Sequence, residues 1–207
     1  MKKLKKITSD RFIIDLLYRT TNNAFYRDMY GEFGIDAAYV HPDLHERLIR
    51  LEEPLRAAKL KLVVYDTFRP WVVQKFMYES APEFMRDTYI AAPPSDGDKD
   101  GYHVRGAAID CYLANEDGTP LEFQTTPDAF YVGWEKDLDK SMKYFQLAER
   151  KNTNQFSAEV QNNQRLLDKF MVDIAGLYPL QEEWWHYELP EAWKYPVIKS
   201  LDDAEVE

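Results

Sequence analysis

Four histidines serve the whole chain, and two of them sit where chemistry could be assembled. His103 precedes the apolar run Ala107-Ala108-Ile109-Asp110-Cys111-Tyr112-Leu113, in which Asp110 is the one charged residue. His186 closes the run Glu183-Trp184-Trp185-His186. A carboxylate inside an apolar segment is costly unless it is paired or bound to a cation, and the same holds for Glu183 among aromatics. A lone histidine is usually a hydrogen-bonded core or surface residue. Two histidines with an aspartate, however, make a three-ligand set for Zn²⁺ and leave the fourth tetrahedral position to water. Two neutral imidazoles and one carboxylate leave the ion enough positive charge to acidify that water. Glu183 is then the spare carboxylate that could take the proton.

Arg69, in Tyr65-Asp66-Thr67-Phe68-Arg69-Pro70-Trp71, has two readings. It is either half of a surface ion pair, with Asp66 as its partner, or a fixed cation that stabilises the oxyanion of a tetrahedral intermediate. Weaker signals are set aside. His41 and His45 are four apart but enclose Pro-Asp-Leu, so they are not an H-E-x-x-H pair and read as a helix start and its surface. Asp96-Gly-Asp-Lys-Asp-Gly101 begins like a Ca²⁺ loop, but its twelfth position is Ala107 and it runs into a strand, so it reads as a solvated acidic loop. Cys111 reads as a small buried hydrophobe.

These residues need elements to hold them. Leu44, Leu48, Leu51, Leu55 and Ala58 recur at steps of three and four, predicting one helix over 42–59. Lys61–Phe68 is β-branched and aromatic and predicts a strand, followed by a helix from Pro70 to about Glu79. Ala91–Gly101 reads as a loop and Gly106–Leu113 as a buried strand. Asn115–Gly118 reads as a turn leading into a return strand. Helices are expected over about Lys136–Arg150 and Ser157–Ala175, the second with Ser157 as N-cap and Gly176 as C-cap. A short aromatic strand around Trp184–Leu189 ends the pattern. In an extended segment Trp184 and Trp185 face opposite sides, one in the core and the other walling a pocket. Glu183 and His186, three apart, would also diverge in a regular strand. Glu183 must therefore lie in the turn entering that strand, or a bulge must separate the two. Helices around several short strands without βαβ alternation indicate an α+β fold, a single domain over 1–207 with a small, mostly antiparallel sheet flanked by helices.

Composition bounds the function. With 207 residues, 45% hydrophobic and 14% aromatic, the chain can bury a sizeable core. A net charge of −10 argues against nucleic-acid binding, which needs a basic face. A single cysteine excludes an internal disulfide. No stretch approaches the ~20 apolar residues of a membrane span. Lys2, Lys3, Lys5 and Lys6 resemble the charged start of a signal peptide, but no hydrophobic core follows. The expectation is a soluble, cytoplasmic protein, with a periplasmic location open if a longer precursor is trimmed.

The motifs together resemble a known family. H-V-R-G-A-A-I-D (His103–Asp110), E-W-W-H (Glu183–His186) and Y-D-T-F-R-P (Tyr65–Pro70) are similar to zinc D-alanyl-D-alanine dipeptidases of the VanX type. Those belong to a superfamily that includes D-Ala-D-Ala carboxypeptidases and bacteriophage endolysins. The likeness runs in order from about Tyr18 to Leu189. It implies a hedgehog/D-Ala-D-Ala-peptidase-like fold, one Zn²⁺ held by His103, Asp110 and His186, Glu183 as general base and Arg69 as transition-state stabiliser. It also implies a small closed pocket for a dipeptide substrate, with Tyr18 and Asp128 placing the substrate's ammonium group.

Two positions depart from the family pattern. Gly101 stands where a serine usually precedes the first histidine by two residues, and Phe123-Gln-Thr-Thr-Pro-Asp128 replaces a glycine-rich segment. Neither touches the implied ligands or base, and both bear on which dipeptide is cleaved. Three functions are therefore carried forward. They are a zinc dipeptidase, a carboxypeptidase or endopeptidase acting on peptidoglycan stem peptides, and a non-catalytic zinc-stabilised binding domain. Pocket closure separates the first two, and Asn115–Gln155 is long enough to provide it. The presence of both Glu183 and Arg69 disfavours the third.

Overall fold

The computed structural model describes residues 2–125 and 138–207. In chain order the elements are β1 (Lys3–Lys6), β2 (Phe12–Ile14), α1 (Met29–Glu32), β3 (Tyr39–Val40), α2 (Pro42–Ile49), α3 (Glu52–Ala58), β4 (Leu60–Asp66) and α4 (Trp71–Ser80). There follow β5 (Ala108–Asn115), α5 (Leu138–Ala148), α6 (Ala158–Asp168), β6 (Tyr178–Pro179), β7 (His186–Glu188) and β8 (Glu205–Val206).

Five strands form the main sheet in the order β2-β4-β5-β7-β6, and three form a small one in the order β3-β1-β8. Every neighbouring pair is antiparallel except β2/β4 and β1/β8. This is the expected α+β arrangement with a mostly antiparallel sheet. The near-continuous apolar runs of β4 and β5 follow from burial on both faces, from Leu62 to Asp66 and from Ala108 to Cys111. Cys111 is buried and free, as a small hydrophobe should be.

The expected helix over 42–59 is two helices, α2 and α3, with Arg50 and Leu51 between them. Pro54 has no N–H to offer the carbonyl four residues back and its ring crowds that carbonyl, so the helix cannot run through. The apolar stripe survives the break, with Leu44, Leu48, Leu51 and Leu55 all essentially inaccessible, while Ala58 is exposed. The Asn115–Gly118 turn forms, but the return strand reduces to a single bridge between Ala114 and Pro120. Ser157 caps α6 by accepting from Val160 N at 3.2 Å. Beyond α6 the helix widens into a π-helical stretch, Lys169–Ile174, and Gly176 follows with φ +69°. Arg47 of α2 donates to the carbonyls of Ala175 and Gly176 at 3.0 and 2.8 Å, closing that helix end. Among the described residues no helix is long and apolar enough to cross a membrane.

Register across the main sheet places the polar residues. Asp110 of β5 pairs with Asp66 of β4 on one side and with His186 of β7 on the other. A register shift between Val64 and Asp66 lets the end of β4 depart from regular alternation at this row.

Candidate metal centre and cavity

His103 stands on a single 3₁₀ turn, Tyr102–Arg105, between Gly101 and Gly106, both left-handed at φ +64°. Arg105 is fully buried and anchors the preceding loop by donating to the carbonyls of Ser95 (3.0 Å), Asp98 (3.1 Å) and Tyr195. The acidic loop is tied up internally. Asp96 accepts from Val197 N at 2.6 Å and Asp98 from Ser95 N at 2.7 Å, so their carboxylates serve backbone donors rather than a Ca²⁺ cage.

The turn meets the end of β4 through two bonds. Arg69 N donates to the His103 carbonyl at 3.1 Å, and His103 Nδ1 lies 2.7 Å from the Thr67 carbonyl oxygen. A carbonyl only accepts, so Nδ1 carries the hydrogen and Nε2 is left with its lone pair. His186 differs, because both of its ring nitrogens face a carboxylate: Nε2 lies 3.3 Å from a Glu188 oxygen and Nδ1 2.9 Å from Asp110 Oδ1. Burial alone would lower its pKa, but hydrogen bonds to Asp110 and Glu188 push it up to about 10, so both nitrogens carry hydrogen in the metal-free protein.

His103 Nε2, His186 Nδ1 and Asp110 Oδ1 converge. His103 Nε2 is 3.2 Å from His186 Nδ1 and 3.4 Å from Asp110 Oδ1, and His186 Nδ1 is 2.9 Å from Asp110 Oδ1. A hydrogen on His186 Nδ1 joins it to Asp110 in the metal-free protein; a divalent cation taking the place of that hydrogen would face two imidazole lone pairs and one carboxylate oxygen. Tetrahedral zinc with bonds of about 2.0–2.1 Å would separate its ligands by about 3.3 Å. The three residues, each buried, therefore fit a zinc ion in donor type and spacing, with metal binding displacing the His186 Nδ1 hydrogen. Burial alone would raise the Asp110 carboxyl, but the His103 and His186 imidazoles hold it below the ordinary carboxylate range.

Glu183 lies in the turn entering β7, as the spacing argument required. Its Oε2 is 3.8 Å from His186 Nδ1, and its carbonyl accepts from His186 N at 3.3 Å. Arg150 holds this turn by donating to the carbonyls of Leu180 and Trp184, both at 2.8 Å. Glu183 is 6% exposed. Burial, and then the charge of Asp110, push its carboxyl above the ordinary value.

Arg69 does pair with Asp66, but in the interior rather than at the surface. Its Nε donates to Asp66 Oδ2 at 3.2 Å, a terminal nitrogen makes a second bond to the same oxygen, and the other donates to Gln74 Oε1 at 2.8 Å. The Tyr18 ring lies 5.4 Å from the guanidinium. Tyr18 is 2% exposed, and burial raises its phenol well above the usual value, so it remains an O–H donor.

Tyr18, Arg69, His103, Asp110, Glu183 and His186 all line one cavity of about 380 Å³, a size suited to a small ligand. Asp128 and the middle of Asn115–Gln155 lie outside the described residues. Trp184 and Trp185 do not divide as expected. The chain turns here instead of extending, and both indoles are fully buried away from the cavity. Trp184 stacks on Phe123 at 4.4 Å and donates to Thr125 Oγ1 at 2.8 Å. His41 caps α2, its Nδ1 accepting from Asp43 N at 3.2 Å. A Cβ at Gly101 would come within 2.7 Å of Pro94 Cγ, so packing as well as backbone conformation keeps this position free of a side chain.

Asp66, Gln74 and Glu188 escaped the sequence reading as site residues. Asp66 was visible only as a partner for Arg69. Glu188 carried a legible signal, because two residues after His186 in a strand is the same face.

The profile of the peptidase M15 family described as D-ala-D-ala dipeptidase matches residues 1–203. The D-alanyl-D-alanine dipeptidase of Escherichia coli (strain K12) is 26% identical over 187 residues, covering 89% of this chain and 82% of that protein.

Proposed function

From the premise that the chain belongs to the peptidase M15 family of D-Ala-D-Ala dipeptidases, we propose that it is a zinc-dependent dipeptidase hydrolysing D-Ala-D-Ala or a related dipeptide. The observation that carries this reading is the triangle of His103 Nε2, Asp110 Oδ1 and His186 Nδ1 with the buried Glu183 beside it. Zinc held there would supply a Lewis acid that lowers the pKa of water and polarises a peptide carbonyl.

The chain's own groups do the rest. Glu183 has no hydrogen-bond partner for its carboxylate among the described residues, and its raised pKa matches a group that takes a proton from water and returns it to the leaving amine. Arg69, immobilised by Asp66 and Gln74, offers fixed positive charge to the developing oxyanion without having to reorganise. Tyr18 supplies an O–H donor at the cavity wall, suited together with Asp128 to the ammonium end of a dipeptide. A peptidoglycan-derived dipeptide and a cytoplasmic setting fit the family and the acidic, single-cysteine composition.

The test is metal analysis of the purified protein, followed by mass-spectrometric assay of D,D-, L,D- and L,L-dipeptides and longer stem peptides. One zinc per chain and turnover of a D,D-dipeptide are expected, with Glu183→Ala keeping the metal and losing turnover. Zinc without hydrolysis of any peptide would favour a binding domain. Cleavage of stem peptides alone would favour a carboxypeptidase or endopeptidase. Wild-type turnover by Glu183→Ala would remove Glu183 from the role of base.

A further inference from the structure

The two histidines of the centre are oriented by different means. His103 is fixed by a main-chain carbonyl, that of Thr67, which no side-chain replacement can remove. His186 depends on a side chain, the carboxylate of Glu188 at 3.3 Å from Nε2. The strand makes this contact possible. His186 and Glu188 begin and end β7 and, two apart, project from the same face of the sheet. In register opposite Glu188 stands Ala108, a residue with no side chain beyond a methyl group. Glu188 is partly enclosed, its side chain 22% exposed, and it contributes to the cavity wall.

We propose that Glu188 is a positioning residue of the metal centre. By accepting the Nε2 hydrogen it selects, in the metal-bound state, the His186 tautomer whose Nδ1 lone pair faces Asp110 and His103. Its negative charge also makes that imidazole a stronger donor toward a divalent cation. Without it, the hydrogen can move to Nδ1 or the ring can rotate. Either change takes one of the three donors out of the triangle. This inference rests on the metal centre proposed above, but not on the identity of the substrate.

The test uses Glu188→Ala, Glu188→Gln and wild type, read without substrate. Zinc affinity is measured by competition with a chromophoric chelator, the ligand field by visible absorption of the cobalt(II)-substituted protein, and the melting temperature on metal-free protein. Glu188→Ala is expected to bind zinc 10- to 100-fold more weakly and to change the cobalt spectrum. Glu188→Gln, which keeps an acceptor oxygen without the charge, is expected to recover most of the loss. The metal-free proteins should differ by no more than the loss of one hydrogen bond, well short of the change in zinc affinity. Wild-type zinc affinity and an unchanged cobalt spectrum in Glu188→Ala would overturn the assignment, as would a weakening matched by an equal fall in metal-free stability. Failure of wild type to bind zinc or cobalt would remove the metal centre itself. Tight zinc binding with the expected variant effects, but no dipeptide turnover, would leave the role of Glu188 standing while the proposed activity fell.

Discussion

Arg69 and Asp66 form an ion pair closed off from water: the carboxylate is 0% exposed and the guanidinium residue 7%. Asp66 also accepts from the Tyr30 hydroxyl and from Thr67 N, so one buried carboxylate organises three segments. Breaking a buried pair leaves an uncompensated charge. Asp66→Ala should therefore lower unfolding free energy by about 3–5 kcal/mol, as read by urea denaturation of the metal-free protein. A loss under about 1 kcal/mol would mean that Arg69 finds solvent or another partner.

Replacing Arg69 tests the role proposed for it at the oxyanion. Lysine keeps the charge but lacks the planar fork that reaches Asp66 and Gln74 together. Arg69→Lys should lower kcat by about 10²-fold, the scale of losing one fixed oxyanion donor, with zinc content unchanged. An unchanged kcat would show that the oxyanion is stabilised elsewhere.

Glu183 gives a pH dependence with a definite sign. Its carboxyl is raised above the usual value of 4.5 by burial first and Asp110 second. Below that value it is protonated in both folded and unfolded chains and contributes no difference. As pH rises above it, the unfolded chain ionises first, so the metal-free wild type loses stability until the folded pKa is reached. Glu183→Gln cannot ionise. Its melting temperature should match wild type near pH 4 and exceed it increasingly toward about pH 8. A constant offset across that range would contradict the raised pKa.

Metal removal should lower stability by mass action. Free zinc at about 100 times its Kd would stabilise the fold by about 2.7 kcal/mol. Chelation should therefore lower the melting temperature reversibly, and His103→Ala should abolish that response. An identical chelator response in His103→Ala would place the stabilising metal elsewhere.

Gly106 is a local test of how the His103 turn is seated. A Cβ there would lie 2.6 Å from Leu4 Cδ2 and 2.9 Å from the His41 backbone N, at φ +64°. Gly106→Ala thus meets both the left-handed penalty of about 1–2 kcal/mol and a main-chain atom that cannot step aside. Gly118→Ala, with φ +91° and nothing nearer than Ile13 Cδ1 at 3.6 Å, incurs the backbone penalty without the close approach. Gly106→Ala should be the more destabilising of the two by chemical denaturation, and equal losses would show that Leu4 and the His41 backbone both yield to the added methyl.

Much of the site was legible because burial leaves a compositional mark. Asp110 in an apolar run and Glu183 between turn and tryptophans stood out, since an ionised group in such company needs a reason. Strand periodicity left a turn or a bulge as the two ways for Glu183 and His186 to converge, and the chain takes the turn. The α2/α3 break was legible too, in Pro54, but the unbroken leucine stripe outweighed it. Trp184 and Trp185 misled because alternation applies only to extended backbone, and the chain bends there.

Residue types and their spacing by themselves determined the candidate donor set, the spare carboxylate proposed as base and the α+β pattern, because charge in an apolar context and hydrophobic period are local properties of the chain. Only the folded sheet decided that Asp66, Asp110 and His186 share one row, that Arg69 is enclosed and not at the surface, and that Glu188 turns its carboxylate to His186. Those facts depend on strand register, a relation between segments up to 120 positions apart that no local pattern records.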